Sequence, residues 1–414
     1  MGKQLSRADL EALDYDDPLR SFRDRFTLPQ GVIYLDGNSL GAMPKATAAR
    51  VREVVEDEWG RDLIRSWNIN GWIDIQQRIG AKIGRLIGAK EGETIVADST
   101  SINIFKALSA ALELRPDRRV ILSEPDNFPT DLYVAEGLIR HLGRGHTLRV
   151  AKPDTIEDAI ADDVAVVMLT HVNYRTGRMH DMRRITALAH ERGALMLWDL
   201  AHSAGAVPLD LTAANVDLAV GCGYKYLNGG PGAPAFLYVA HRHQAHIAPA
   251  LSGWFGHDSP FRFEQSYRPA EGIDRFTVGA PPILSLTALE VGVDVMLEAP
   301  MDVLRAKSIR QGELFEQLVA QEIEAGTLML VSPASSALRG SQLCYANEHG
   351  WPVMRALIDR GVIGDFRQPN ILRFGFTPLY VCYADLWDAV AILQSILAER
   401  AWDRPEYHAS TRVT

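Results

Sequence analysis

Lys225 stands between two tyrosines in GCGYKYLNGGPG, residues 221–232, and three glycines and a proline follow it within seven residues. An amine there can form a Schiff base with an aldehyde, and the glycines let the backbone turn sharply and approach a ligand closely. Other apolar runs also end in polar groups: Asp199 closes LMLWD, with His202 three residues on, and Thr170-His171 follow VVML. A further run, TIVAD, leads into STSINIFKALSAAL, where Thr100 and Ser101 open an apolar helical pattern. Singly, each has an ordinary structural explanation, as a solvated lysine or as a helix cap. Together they supply hydroxyls at a helix N-terminus for a phosphate, a carboxylate at a strand end for a protonated ring nitrogen, and an amine for a Schiff base. Pyridoxal phosphate needs all three, because an Asp must keep its ring protonated if the ring is to draw electrons.

Such groups must be carried to one place by regular elements. Short apolar runs (DVAVVMLTHV, ALMLWDL, VDLAVGCGYK, AFLYVA) alternate with helical stretches such as MRRITALAHERGA, which predicts a mostly parallel sheet covered by helices on both faces. In that architecture ligands sit outside the carboxyl ends of the strands, where these polar residues lie. RVREVVEDEWGRDLIRSW also has helical spacing. From about Leu286 the chain carries further helices and strands (SQLCYA, ILRFGF), read as a smaller C-terminal α/β domain. The expected division is an N-terminal segment 1–55 packing with the small domain, a large domain 56–285 and a small domain 286–414.

With 414 residues, 47% hydrophobic and 23% charged, the chain can bury a large core. A net charge of −9 argues against nucleic acid or a membrane surface as partner. Three scattered cysteines make no disulfide framework, and together with the lack of an apolar leader they point to the cytoplasm. GNSLG, residues 37–41, satisfies a serine-hydrolase pattern, but too few strands precede it and Pro44 follows, so a serine nucleophile is not expected. HRHQAH, residues 241–246, has no carboxylate or cysteine at ligand spacing and reads as solvated surface, so no metal is expected. Cys344, inside an alternating apolar run, reads as a buried strand cysteine.

The ordered set LDGNSLG (35–41), NFPTD (127–131), LTHVNYRTG (169–177), WDLAHSAGAVPLDL (198–211), GYKYLNGGPG (223–232), SGWFGH (252–257) and LRFGFTPLY (372–380) resembles the bacterial kynureninase family, from about residue 30 to 400. The resemblance implies an aminotransferase-like, fold-type I pyridoxal-phosphate enzyme, a homodimer with its active site at the subunit interface. Lys225 then matches the lysine that carries the cofactor, Asp199 the partner of the ring nitrogen, and His202 its neighbour. Phe128 matches the residue stacked on the ring, with Asp131 nearby. Thr100, Ser101, Thr170 and Tyr224 match cofactor positions, largely at the phosphate, and Trp254 one that reaches across the dimer. Arg373 matches the holder of the substrate α-carboxylate, a task suited to a planar two-pronged guanidinium. Asn38, Ser39 and Trp67 match substrate-binding positions. Ala280, in VGAPPI, departs from the pattern, since relatives carry Asn or Thr there and its side chain makes no phosphate hydrogen bond.

The implied reaction is hydrolysis of the Cβ–Cγ bond of L-kynurenine to anthranilate and L-alanine, in tryptophan degradation. Lys225 would move the α-proton, and Tyr224 is the candidate acid–base group, its alternative role being phosphate binding alone. Another fold-type I enzyme such as a cysteine desulfurase, or a non-catalytic pyridoxal-phosphate-binding relative, stands as the alternative. Neither Trp67 nor the stretch around Ala280 offers the ring hydroxyl of 3-hydroxykynurenine a side-chain hydrogen bond comparable to that of a polar pocket, so L-kynurenine is the expected preference.

Overall fold

The computed structural model describes residues 4–409. Seven strands form the principal sheet: β1 (Thr94–Val96), β2 (Val120–Ser123), β3 (Thr147–Val150), β4 (Val164–Thr170), β5 (Leu195–Asp199), β6 (Leu218–Cys222) and β7 (Ala235–Val239). Their spatial order is β1-β7-β6-β5-β4-β2-β3. All neighbours pair in parallel except β7, which is antiparallel to both β1 and β6. AFLYVA, expected among the parallel strands, is that antiparallel strand.

Every residue of β4, β5 and β6 is buried. Alternate side chains of β5 enter different clusters, Met196 and Trp198 on one face and Leu195 and Leu197 on the other. This two-sided burial explains why the strands read as continuous apolar runs. Each fully buried aliphatic side chain contributes roughly 1.5–3 kcal/mol. On one face the helix Ile75–Ile87 buries a stripe at four-residue spacing, Ile75, Ile79, Ile83 and Ile87. On the other, Thr100–Leu114 packs against Pro129–Leu142.

A second, antiparallel sheet follows: β8 (Met329–Leu330), β9 (Gln342–Ala346), β10 (Asp365–Arg367) and β11 (Ile371–Gly375), in the order β8-β9-β11-β10. Cys344 lies buried within β9, as its alternating context predicts. The N-terminal helix Arg7–Tyr15 packs on Tyr383–Ala398, and Ile33–Tyr34 pairs in parallel with Val362–Ile363. The helix Ile283–Glu298 straddles residue 285 and packs against Ile75–Ile87.

The helical spacing of residues 50–67 is only partly realised. The α-helix Lys45–Glu53 passes into a π-helical turn, Val54–Trp59, and the chain breaks before two short turns, Leu63–Arg65 and Ser66–Ile69. Leu63, at φ +57°, sits in the left-handed region where a helix of L-residues stops. Local polar bonds hold the break: Trp72 Nε1 donates to Glu58 Oε2 at 2.6 Å, and Asn70 donates to Asp62 and to Ser66.

Candidate active site

At the carboxyl ends of β4, β5 and β6 lies a cavity of about 130 Å³. Lys225, Asp199, His202 and Tyr224 line it, together with Thr100, Ser101, Phe128 and Asp131. β6 stops at Cys222, so Lys225 sits three residues beyond the strand, in the glycine-rich loop. Its Nζ lies 3.5 Å from both ring nitrogens of His202, 5.9 Å from the Phe128 ring centroid and 5.8 Å from that of Tyr224. The Lys225 loop is pressed against the LDGNSLG segment, where Gly41 N donates to Tyr224 O at 2.8 Å. A Cβ at Gly41 would come within 2.3 Å of the Lys225 carbonyl, so only glycine permits the contact.

Asp199 ends β5 fully inside the protein. One oxygen accepts from Ala201 N at 2.8 Å and the other from Thr170 Oγ1 at 3.4 Å. Burial raises its carboxyl pKa, and the Lys225 charge pulls it back down. Asp131, only 1% exposed, is pushed well up by burial and then by Asp199. Burial and the neighbouring Lys225 lower His202 well below the ordinary histidine range, so its ring is neutral at physiological pH. Tyr224 is raised, mainly by burial, so its phenol keeps its proton at neutral pH.

Asn127, Ser99 and Asp365 are additions the sequence reading missed. The Asn127 carbonyl oxygen accepts from both the backbone N, at 2.9 Å, and the hydroxyl of Thr170. Its amide donates to Asp131 at 3.4 Å, tying the end of β4 to the helix Pro129–Leu142. Ser99, rather than Thr100 or Ser101, caps the helix Thr100–Leu114, accepting from Ile102 N at 3.4 Å. Capping therefore does not consume the hydroxyls of Thr100 and Ser101, which line the cavity at a helix N-terminus.

A second cluster surrounds Arg373, 1% exposed on β11. Nη1 donates to Tyr174 O at 2.8 Å, while Nη2 donates to Ser39 Oγ at 2.5 Å and pairs with Asp365 on β10, its cross-strand neighbour. With the Asn38 amide turned so that its oxygen accepts from Arg373 Nε at 3.0 Å, its NH₂ donates to Asp36 Oδ1 at 3.3 Å. The Tyr174 ring meets Phe128 edge-on at 5.3 Å, which links this cluster to the cavity.

Trp67, Trp254 and Ala280 are not brought to the cavity of this chain. Trp67 and Trp254 both pack on Phe255, at 5.7 and 4.5 Å, in an aromatic patch that includes Phe261 and Phe263, and Ala280 is exposed. Four of the six residues of HRHQAH, His241, Arg242, Ala245 and His246, are exposed, as expected of solvated surface, but the segment is also tied to the fold by polar bonds. His243 Nε2 lies 2.7 Å and Arg242 Nη2 2.6 Å from the buried Asp217, and His241 Nε2 lies 2.8 Å from Glu91 O. No group of three His, Cys, Asp or Glu suited to a metal occurs among the described residues.

A buried carboxylate, a lysine amine and a hydroxyl-rich helix N-terminus around one cavity form the donor set that pyridoxal phosphate requires. The chain matches the Aminotransferase class-V family over residues 33–344. Its fold is shared with a cysteine desulfurase from Thermococcus onnurineus NA1 (TM-score 0.76, 17% identity, 96% of this chain and all of that one). It is shared also with C-DES, solved as a lysine-to-alanine mutant with glycine covalently linked to its PLP cofactor (TM-score 0.77, 16% identity, 90% of this chain and 98% of that one). The protein is thus a fold-type I pyridoxal-phosphate enzyme of the aminotransferase class-V group. Residues 304–393 match the Kynureninase C-terminal domain. Kynureninases of Pseudomonas fluorescens and Burkholderia pseudomallei are 53% and 52% identical to it across 99% of this chain and the whole of each relative. The chain belongs to the kynureninase family, pyridoxal-phosphate-dependent hydrolases acting on carbon–carbon bonds. Among the described residues no helix is long and apolar enough to cross a membrane.

Proposed function

We propose that this chain hydrolyses the Cβ–Cγ bond of L-kynurenine to anthranilate and L-alanine, with Lys225 at the centre of the chemistry. The observation that carries this reading is the Lys225 amine beside neutral His202 in the cavity that Asp199, Thr100 and Ser101 also line. When bound, pyridoxal phosphate supplies the electron sink that makes a carbon–carbon bond next to the amino acid breakable. Thr100 and Ser101, with the helix N-terminus behind them, would hold its phosphate, and Phe128 would cover its ring. Thr170 would act through its hydrogen bond to Asp199, and Asp131 through the Asn127 bridge that ties it to Thr170. Asp199 would hold the proton at the ring nitrogen; burial raises its carboxyl, and the Lys225 charge opposes that rise.

Lys225 Nζ would take the substrate α-proton, and Tyr224, whose phenol keeps its proton at neutral pH and lies beside Lys225, would deliver a proton at the ketone or at the new methyl group. Arg373 would hold the α-carboxylate, with Ser39 and Asn38 fixing the guanidinium plane. Water adds to the aryl ketone, the Cβ–Cγ bond breaks, and the aryl acyl fragment leaves as anthranilate.

The exposed apolar surface near Trp254 (38% exposed), Phe261 and Phe263 supports a homodimer in which Trp254, Trp67 and Ala280 serve the partner's site. The two sheets support a division into large and small domains, with residues 1–55 joined to the latter through Ile33–Tyr34 and the helix Arg7–Tyr15. The unbroken helix Ile283–Glu298 on Ile75–Ile87 favours a boundary after it rather than at residue 285. The three cysteines, all free, support a cytoplasmic setting. Ala280 offers no hydrogen bond to a 3-hydroxyl and Trp67 only its indole N–H, so L-kynurenine should be favoured over 3-hydroxykynurenine by about one to two decades in kcat/KM. Competition between the two substrates, read by anthranilate and 3-hydroxyanthranilate fluorescence, tests the reading. Equal or higher kcat/KM for the hydroxylated substrate overturns the preference, and absence of both products overturns the function.

A further inference from the structure

Two carboxylates already converge on the guanidinium assigned above to a third. Asp365 pairs directly with Arg373 Nη2 and, at 2.8 Å, with Arg367 Nε, while Asp36 Oδ1 lies 3.7 Å from the same Nη2. The Asp36 side chain is only 16% exposed. With Arg367, Arg373, Asp36 and Asp365 all ionised the cluster is neutral, so an incoming carboxylate would leave a buried net negative charge. We propose that Asp36 is a proton-accepting positioning residue: a ligand carboxylate binds Arg373 together with one proton, taken up from solvent by the Asp36 carboxyl. This inference rests on the reading of Arg373 as the carboxylate holder.

The surroundings leave Asp36 as the group that can change charge. Burial and then Asp365 push its carboxyl up to about 7, against the pull of Arg373, the hydrogen bond from Ser39 and the charge of Arg367. Asp365 is held between the guanidinium groups of Arg367 and Arg373. The other titratable groups facing Asp36 are the phenols of Tyr34, Tyr226 and Tyr380, all raised and all neutral at physiological pH. His202, across the loop near Arg367 and Arg373, is also held neutral. The sign follows from linkage. Affinity for a carboxylate is full below the Asp36 pKa and falls tenfold per pH unit above it, because each further unit removes nine-tenths of the protonated form.

The test uses the holoenzyme and 3-benzoylpropionate, an aryl-keto acid without an amine, which cannot bond covalently to the cofactor. In the wild type its inhibition constant should rise about tenfold per unit above pH 7, and binding at pH 7.5 should draw up to one proton per site from a weakly buffered indicator solution. Asp36→Asn should give a constant that is flat from pH 6 to 9, and visible absorbance in the same buffers separates the cofactor's own titration. A flat wild-type profile, no proton uptake, or an unchanged slope in Asp36→Asn overturns the proposal. The uptake measurement stands even if that variant fails to fold. Arg373→Gln should weaken the probe at least tenfold; undiminished binding removes the carboxylate-holder reading and this proposal with it, whereas weakened binding with an unchanged Asp36→Asn slope overturns the proposal alone.

Discussion

Asp199 shows what single residues here are asked to do. It is buried with one backbone donor, one hydroxyl and one cation for company, and burial alone would push it toward its neutral form. Asp199→Asn keeps the shape and removes the charge, so kcat with L-kynurenine should fall roughly a hundredfold or more. Bound cofactor, measured by its visible absorbance, should remain; full activity at full occupancy would remove the role. Lys225, Asp199 and Thr170 were legible in the sequence because each follows an apolar run, and parallel strands bring their carboxyl ends together. Asn127 was not, because its bonds to Thr170 span 43 residues and no local pattern announces them. Asp365 had a faint signal: DFRQPNILRF is a strand, a Pro-Asn turn and a strand, and pairing the two strands sets Asp365 opposite Arg373.

At the scale of elements the sheet is held by polar junctions as well as by its core. Asp217, immediately before β6 and 1% exposed, accepts from Met196 N at 2.8 Å and meets His190, Arg242 and His243 at 2.6–2.7 Å. It thereby joins the helix Met182–Glu191, the start of β5 and the turn after β7. Hydrogen bonds from His190 and His243 overcome burial and hold its carboxyl well below the ordinary range. A depressed folded-state pKa means that this stability is present above the unfolded aspartate value, near pH 4, and is lost as pH falls below it. Asp217→Asn should cost on the order of 3 kcal/mol in urea unfolding at pH 7 and should flatten the acid dependence. A midpoint unchanged at pH 7 would contradict the account. HRHQAH is mostly exposed, as read, but its tie to Asp217 was not legible, because that partner lies 25 residues upstream in a different element. The long helical reading failed at Leu63, whose left-handed backbone no apolar period reveals.

At the scale of the whole molecule, the cavity of one chain lacks Trp254, Trp67 and Ala280, while Trp254 stands in an exposed aromatic patch. If the partner's site is where Trp254 works, Trp254→Ala and Lys225→Ala chains should each have low activity alone. Unfolded and refolded together, they should form mixed dimers in which one site regains Lys225 and Trp254. Activity should then rise toward about a quarter of wild type, with half the chains in mixed dimers and one good site in each. No recovery, with mixed dimers demonstrated, would refute the shared site. The fold class was legible from alternating runs, whereas the exposed aromatic patch was not, because isolated aromatics in a sequence do not reveal that they gather on one face. The most direct test of the central claim is borohydride reduction of the holoenzyme, mass mapping of the cofactor, and an L-kynurenine assay of wild type and Lys225→Ala. The account predicts cofactor fixed on the peptide containing Lys225, anthranilate and L-alanine in equal amounts from the wild type, and neither product from the variant. Cofactor fixed on another lysine, or wild-type rates in Lys225→Ala, would contradict it.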